Sequence, residues 1–361
     1  MNQAAASLTP VALAPASPTS TRRQTNYWEP IYNPSDFGPF PELSWDFLHN
    51  RGPAHGTLNA KGMWNQFPDG AAKIWEITFT KCDFRGRFEK KPIVFKNCRF
   101  EGCDFGYTFW KKAKFTECTF KSCSLSLATF ADCEFRDCTW ERIGISGNET
   151  KLPGTLITNP EAFIAAAYTN LDRDTLTKVG KTPEEQKMRL ERTKSTVSRS
   201  ILNTLSQIGE EEDYYEAVKT CLNQSLTARI SHANYSAGMA QGVFRKIFHL
   251  SRMQIYLAEK KIINLSGQIN CWGASIARPC IIGLAIIALF TLAYYAAGVR
   301  PDLPSALMAS VDVSLLIGYT KHVSRGIPRF DQAIFALNMG IGLAWYAVFV
   351  PTIINRISRV R

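Results

Sequence analysis

Seven of the ten cysteines in this 361-residue chain follow a five-residue spacing, Cys98, Cys103, Cys118, Cys123, Cys133 and Cys138 on one grid and Cys82 one residue out of register with it. Thiols clustered so densely could hold zinc or an iron–sulfur cluster. Metal-ligand pairs, however, usually come as C-x2-C, whereas these are C-x4-C at a fixed period. A small apolar thiol is instead a natural core filler, and so many free thiols point to a reducing compartment. The five histidines, His49, His55, His232, His249 and His322, stand apart, none at ligand spacing with another His or Cys. No nucleophile elbow, P-loop or dinucleotide fingerprint is present. The residue pattern therefore predicts no enzyme, no metal and no cofactor.

The grid extends beyond cysteine. From Ile93 to Ile145 one phase is small or apolar, and a second phase two residues later is aromatic or aliphatic: Phe95, Phe100, Phe105, Trp110, Phe115, Phe120, Leu125, Phe130, Phe135, Trp140 and Ile145. Neither the 3.6-residue helical period nor the two-residue strand period produces this. A short fixed repeat implies a solenoid, in which each unit buries its apolar side chains only by stacking on its neighbours. The pattern resembles the pentapeptide-repeat family. That resemblance implies a right-handed quadrilateral β-helix with four pentads to a coil, so that Cys98, Cys118 and Cys138 stack, as do Phe100, Phe120 and Trp140. Cys103, Phe105, Cys123, Phe130, Cys133 and Phe135 join the same core. Two further units, Ile77 with Phe79 and Cys82 with Phe84, lie one residue out of register, which predicts that Arg85–Pro92 loops out. Thirteen units make roughly three coils, about 15 Å tall at about 4.8 Å per coil.

Two uncharged runs mark the C-terminal end, Cys280 to Val299 and Ala333 to Ile354. Each is long enough to cross a hydrocarbon core of about 30 Å. Lys and Arg flanking the pair (Lys260, Lys261, Arg278, Arg356, Arg359, Arg361) outnumber those between the runs (Arg300, Lys321, Arg325, Arg329). By the positive-inside rule both termini are cytoplasmic, which agrees with the thiol content. The expected location is the cell's inner membrane, with two passes.

The remaining organisation follows by composition. Residues 1–26 read as a disordered tail without the basic start and apolar stretch of a signal peptide. Residues 27–76, carrying Trp28, Trp45, Trp64 and Trp75, read as an aromatic cap over the first coil, and 77–147 as the β-helix. Residues 148–277 are helical and charged. Asn159-Pro160-Glu161 and Thr182-Pro183-Glu184 look like capped helix starts. Val197, Ile201, Leu205 and Ile208 make an apolar stripe that pairs with a helix starting at Glu210, and this hairpin is expected to close the open end of the solenoid. Phe244–Ile263 mixes apolar and basic residues, as expected for contact with anionic lipid headgroups. Residues 278–361 form the two-span domain.

The linker Gly209–Ala217, together with Leu265-Ser266-Gly267, Trp272-Gly273 and Arg278-Pro279, resembles bacterial pentapeptide-repeat proteins that end in a two-span, ion-channel-like module. That likeness implies a re-entrant segment at 304–320, ending in Ile317-Gly318-Tyr319, which is similar to the core of a potassium filter. Thr320 stands where a second glycine is needed, and Val313, Leu315 and Leu316 replace threonines, so a potassium-selective pore is not expected. Asp312, Ile317, Gly318, Tyr319 and Thr320 remain the pore-loop candidates, in a tetramer if the chain is a channel. The primary expectation is a membrane-anchored scaffold for an unidentified protein partner. With a net charge of +11, a DNA-mimicking rod is excluded, and scattered Lys and Arg argue against nucleic-acid binding.

Overall fold

The computed structural model describes residues 42–46, 53–67, 72–145, 150–208, 211–317, 322 and 328–359. The predicted tail (1–26), part of the aromatic cap and Gly318, Tyr319 and Thr320 lie outside these residues. The chain divides into two compact units, Met1–Thr204 and Leu205–Arg361.

The first unit is a β-solenoid of about 4 turns. One wall stacks β2 (Ala72–Trp75), β6 (Ile93–Lys96), β9 (Lys114–Thr116), β12 (Glu134–Arg136) and β15 (Leu156–Ile157). The next stacks β3 (Thr78–Thr80), β7 (Arg99–Glu101), β10 (Thr119–Lys121) and β13 (Thr139–Glu141). The third begins with β1 (Thr57–Asn59) on β4 (Asp83–Arg85) and continues through single-residue bridges Asp83–Asp104–Ser124–Gly144. The fourth stacks β5 (Arg87–Phe88), β8 (Phe109–Lys111) and β11 (Thr129–Ala131). All pairings are parallel. Phe100 sits opposite Phe120 and Phe120 opposite Trp140, as the twenty-residue coil requires.

Corners carry a cost that the ladder offsets. From Asn97 to Arg142 one residue in every five adopts φ between 50° and 64°, and only Gly102 among them is glycine. Left-handed backbone costs an L-residue roughly 1–2 kcal/mol. The conformation persists because corner N–H groups bond the next coil, as Asn97 N does to Thr116 O at 3.0 Å and Glu117 N to Arg136 O at 2.9 Å. The aromatic stack fixes the rest.

Both ends of the solenoid differ from expectation. Arg85–Pro92 does not loop out: Phe88 is fully buried, and its ring stacks on Trp110 at 3.8 Å. The phase is kept by shortening one side, Phe84 to Phe88, and lengthening the next, Phe88 to Phe95. Ile74, opposite Phe95, is a further inward residue, so Ala72–Trp75 belongs to the ladder and Trp75 points outward. Trp45 and Trp64 are buried. Their indole N–H groups bond Asn59 O at 3.1 Å and Arg87 O at 3.2 Å, and Trp64 lies on α1 (Ala60–Gln66). At the far end Leu152 and Ile157 extend the aromatic phase, and Thr150 and Thr155 take the small position. The ladder thus holds more turns than the roughly three expected.

The far end is closed first by α2 (Pro160–Ala166), whose Phe163 meets Trp140 edge-on at 4.8 Å, while Val197 of the expected hairpin's first helix lines a cleft with Leu152 and Pro153 of the last coil. Asn159 does not cap α2 with its side chain. Its amide donates to Cys138 O at 2.7 Å and accepts from the Trp140 indole at 3.2 Å. α3 (Arg173–Lys178), capped by Asp172, and α4 (Pro183–Ile208), started by Thr182, follow. Val197, Ile201 and Leu205 are buried as the stripe predicts.

The second unit holds α5 (Glu211–Met239), α6 (Val243–Asn270), a 3-10 turn at Cys271–Gly273, α7 (Ala277–Ala296), α8 (Leu303–Ser314) and α9 (Arg329–Arg359). α5 pairs lengthwise with α6, and α8 lies against both α7 and α9.

Candidate functional site

The segment between the two long apolar helices carries polar and charged groups that are at least partly buried against them. α8 starts cleanly: Asp302 Oδ1 accepts from Ser305 N at 2.7 Å, and Pro304 occupies the first turn. Twelve residues span about 18 Å, too short to cross a bilayer. Ala306, Ala309, Ser310, Val313 and Ser314, at helical spacing, form its buried face. Ser310 Oγ donates to Ile287 O of α7 at 2.8 Å.

Two polar clusters meet around Phe335. In the first, Ser314 Oγ donates to Asn338 Oδ1, and Asn338 Nδ2 donates to the Tyr294 hydroxyl, both at 2.7 Å. The three are fully or almost fully buried, so these bonds satisfy groups that would otherwise be stranded in apolar surroundings. They tie α7, α8 and α9 together. In the second cluster Arg300 lies 2.6 Å from His322 Nδ1, and His322 Nε2 lies 3.0 Å from Asp312 Oδ2. Arginine can only donate, so Nδ1 accepts, and the ring proton sits on Nε2 facing the carboxylate. The imidazole thus stands between the guanidinium and the carboxylate. The Arg300 guanidinium also stands 5.8 Å from the Phe335 ring centroid, and its Nε has no partner among the described residues.

Asp312 is therefore a partnered carboxylate rather than a bare acid. Neither Arg300 nor His322 stood out beside it in the sequence, because ten residues separate Asp312 from His322; the only advance signal was the presence of charge in an apolar loop. Ile317 is exposed, with its N–H on Asp312 O at 2.9 Å, while Gly318, Tyr319 and Thr320 lie outside the described residues.

The solenoid candidates are all inward. Each thiol donates to a carbonyl of the preceding coil: Cys103 Sγ to Phe79 O at 3.2 Å, Cys123 Sγ to Phe100 O at 3.2 Å, and Cys138 Sγ to Phe115 O at 3.3 Å. All ten cysteines are free. Phe100 lies between Phe79 and Phe120 with centroid separations of 4.9 and 4.8 Å. These residues make a packing rule, not a reactive site. Residues 95–139 match the family model for pentapeptide repeats, in 9 copies. No curated protein matches the chain.

The pentapeptide-repeat thiols make stability alkali-sensitive. The bond with stacked Cys138, then burial, pushes the Cys118 thiol up to about 12, and burial pushes Cys133 up to about 12, from an ordinary 9.0. A folded-state value above the unfolded one gives stabilisation that is complete below about pH 9 and lost as pH rises through about 12. Urea midpoints are expected to hold steady up to about pH 9 and then fall, with the solenoid thiols unreactive to a thiol reagent until the chain unfolds. Rapid labelling of Cys118 in the native protein would contradict this.

Proposed function

We propose that the chain is a membrane-anchored scaffold whose pentapeptide-repeat solenoid presents a protein-binding surface on the cytoplasmic side of the cell's inner membrane. The observation that carries this reading is the exposure of the two long helices. Their most apolar windows, of mean hydropathy 2.0 in α7 and 1.8 in α9, are only 28% and 17% buried. A core helix of a soluble protein would be mostly covered. Here Ile281, Leu284, Leu289, Leu337 and Leu343 face outward, an arrangement suited to lipid and costly in water. Two passes return the chain to its starting side, so the solenoid and the C-terminus share a compartment, and the free thiols suit a reducing one.

The solenoid surface supports a protein partner over nucleic acid. Its outward face carries both signs, with Lys114 bonded to Glu134 at 2.9 Å and Lys121 to Glu141 at 3.4 Å. A phosphate-binding face would instead concentrate one sign. When cells are broken without detergent, the full-length chain is expected in the membrane pellet. It should survive an alkaline carbonate wash there and leave only with detergent. Recovery in the wash would sink the anchoring.

A second reading, an oligomeric channel or channel-derived sensor, draws on α8, a short helix held between two spans with Asp312 near its end. Planar-bilayer recording tests it: currents altered by Asp312→Asn in a tetramer favour the pore, and silence favours the scaffold.

A further inference from the structure

α6 carries an apolar stripe that no part of the described chain covers. Phe244 is 90% exposed, Ile255 62%, Ile262 65% and Leu265 63%. These positions, with those between them, advance by alternating steps of four and three from Phe244 to Ile269. One set of heptad sites reads Phe248, Ile255, Ile262 and Ile269; the alternate set reads Phe244, Ser251, Ala258 and Leu265. Held over more than three heptads, a strict seven-residue repeat is the mark of a helix that supercoils with another helix. α5 is not that partner. It contacts the opposite side of α6, where Lys260 Nζ bonds Thr227 Oγ1 at 2.8 Å and Arg229 stands 5.9 Å from the Tyr256 ring.

We propose that α6 is a self-association helix, joining two copies of the chain in a parallel coiled coil along this stripe. Several features favour a second copy over the lipid surface expected for Phe244–Ile263. The apolar face is broad at the start of α6, where Val243, Ile247 and Leu250 are also exposed, but between Phe248 and Ile262 it narrows to a seam in which Ser251 and Ala258 alternate with bulky residues, leaving room there for a facing helix. Isoleucine fills three of the four sites of the first set, and Leu265 stands in the other set; β-branched residues in one set with leucine in the other is the combination found in two-stranded coils. In a parallel register the flanking contacts are Ile247 with Arg252, Gln254 with Glu259, and Lys261 with Ser266 of the second copy, none a like-charge pair. The parallel sense rests on the membrane reading above, since copies inserted with one topology run α6 into α7 in the same direction. The pairing itself does not need that reading.

The test uses the full chain in mild detergent. Light scattering is expected to give a dimer for the unaltered chain and a monomer for the double substitution Ile255→Asp, Ile262→Asp, with far-UV circular dichroism unchanged. In a Cys271→Ser, Cys280→Ser background, Ser251→Cys should oxidise to a disulfide-linked dimer, because parallel register brings Ser251 against itself. A second pair, Ser251→Cys with Ile262→Cys, separates the senses. If the single Ser251→Cys chain fails to link and only the pair links, the helices run antiparallel and the proposal fails. It also fails if the unaltered chain is a monomer, or if the Asp variant stays dimeric. A monomer whose dye-labelled Ser251→Cys shifts to the blue with phosphatidylserine vesicles would assign the stripe to lipid instead.

Discussion

Phe100→Ala is expected to destabilise the solenoid by about 3–5 kcal/mol, the usual cost of emptying a buried aromatic site. Phe100 is fully buried and stacks on Phe79 below and Phe120 above, and it meets Phe95, Phe105 and Phe115 edge-on within its own and neighbouring coils. Truncation removes those contacts at once. The cavity cannot collapse easily, because every wall is pinned by ladder hydrogen bonds to the coils on either side. Small and medium domains hold only about 5–15 kcal/mol in total, so at least about a fifth of that margin goes. Phe109 gives the control. It stands one residue before Trp110 but points outward, touching Arg87 with 4.3 Å between guanidinium and ring centroid. Phe109→Ala should cost no more than about 1 kcal/mol. Urea unfolding followed by tryptophan fluorescence compares the two. Equal losses would mean that the five-residue phase does not decide burial.

That phase explains why the solenoid was legible and where legibility stopped. A period of five over eleven units assigns inward and outward residues without any knowledge of contacts, and Cys98, Phe100, Cys118, Phe120, Cys138 and Trp140 fall where it places them. A periodic reading fails wherever the chain inserts or drops a residue. Phe88 was missed because one side is a residue short, and Leu152 and Ile157 because they lie two positions off the phase that ends at Ile145. The coil tolerates such slips, since its corners are loops while its walls are ladders. Asn159 shows a different limit: local helix-start chemistry predicted a cap, but the unsatisfied Cys138 carbonyl and Trp140 indole at the solenoid end compete for the same side chain. In the second unit, the apolar runs revealed the two long apolar helices, whereas the Arg300–His322–Asp312 contact joins residues with no common period and leaves no trace in the sequence.

Gly342→Ala should loosen the second unit by about 1–3 kcal/mol, although it adds a single methyl group to a helix. A Cβ at Gly342 would stand 2.5 Å from Ser314 O and 2.9 Å from Ser314 Cα. Both are backbone atoms at the end of α8, so no side chain can swing aside. α8 must retreat from α9, and Ser314 Oγ then leaves Asn338, which in turn loosens Asn338 from Tyr294. Helices in lipid approach most closely at small residues, and this one is where the short helix is held. Two residues earlier, Gly340 has nothing within 4 Å of the same methyl position, so Gly340→Ala should be neutral or slightly stabilising by helix propensity. Thermal unfolding of the detergent-solubilised full chain separates the pair: Gly342→Ala melts early, and Gly340→Ala melts at or above the unaltered protein. Were the two to melt together, α8 would not be clamped at Ser314, and the polar contacts joining Tyr294, Asn338 and Ser314 would lose their role in holding the segment between the two long apolar helices.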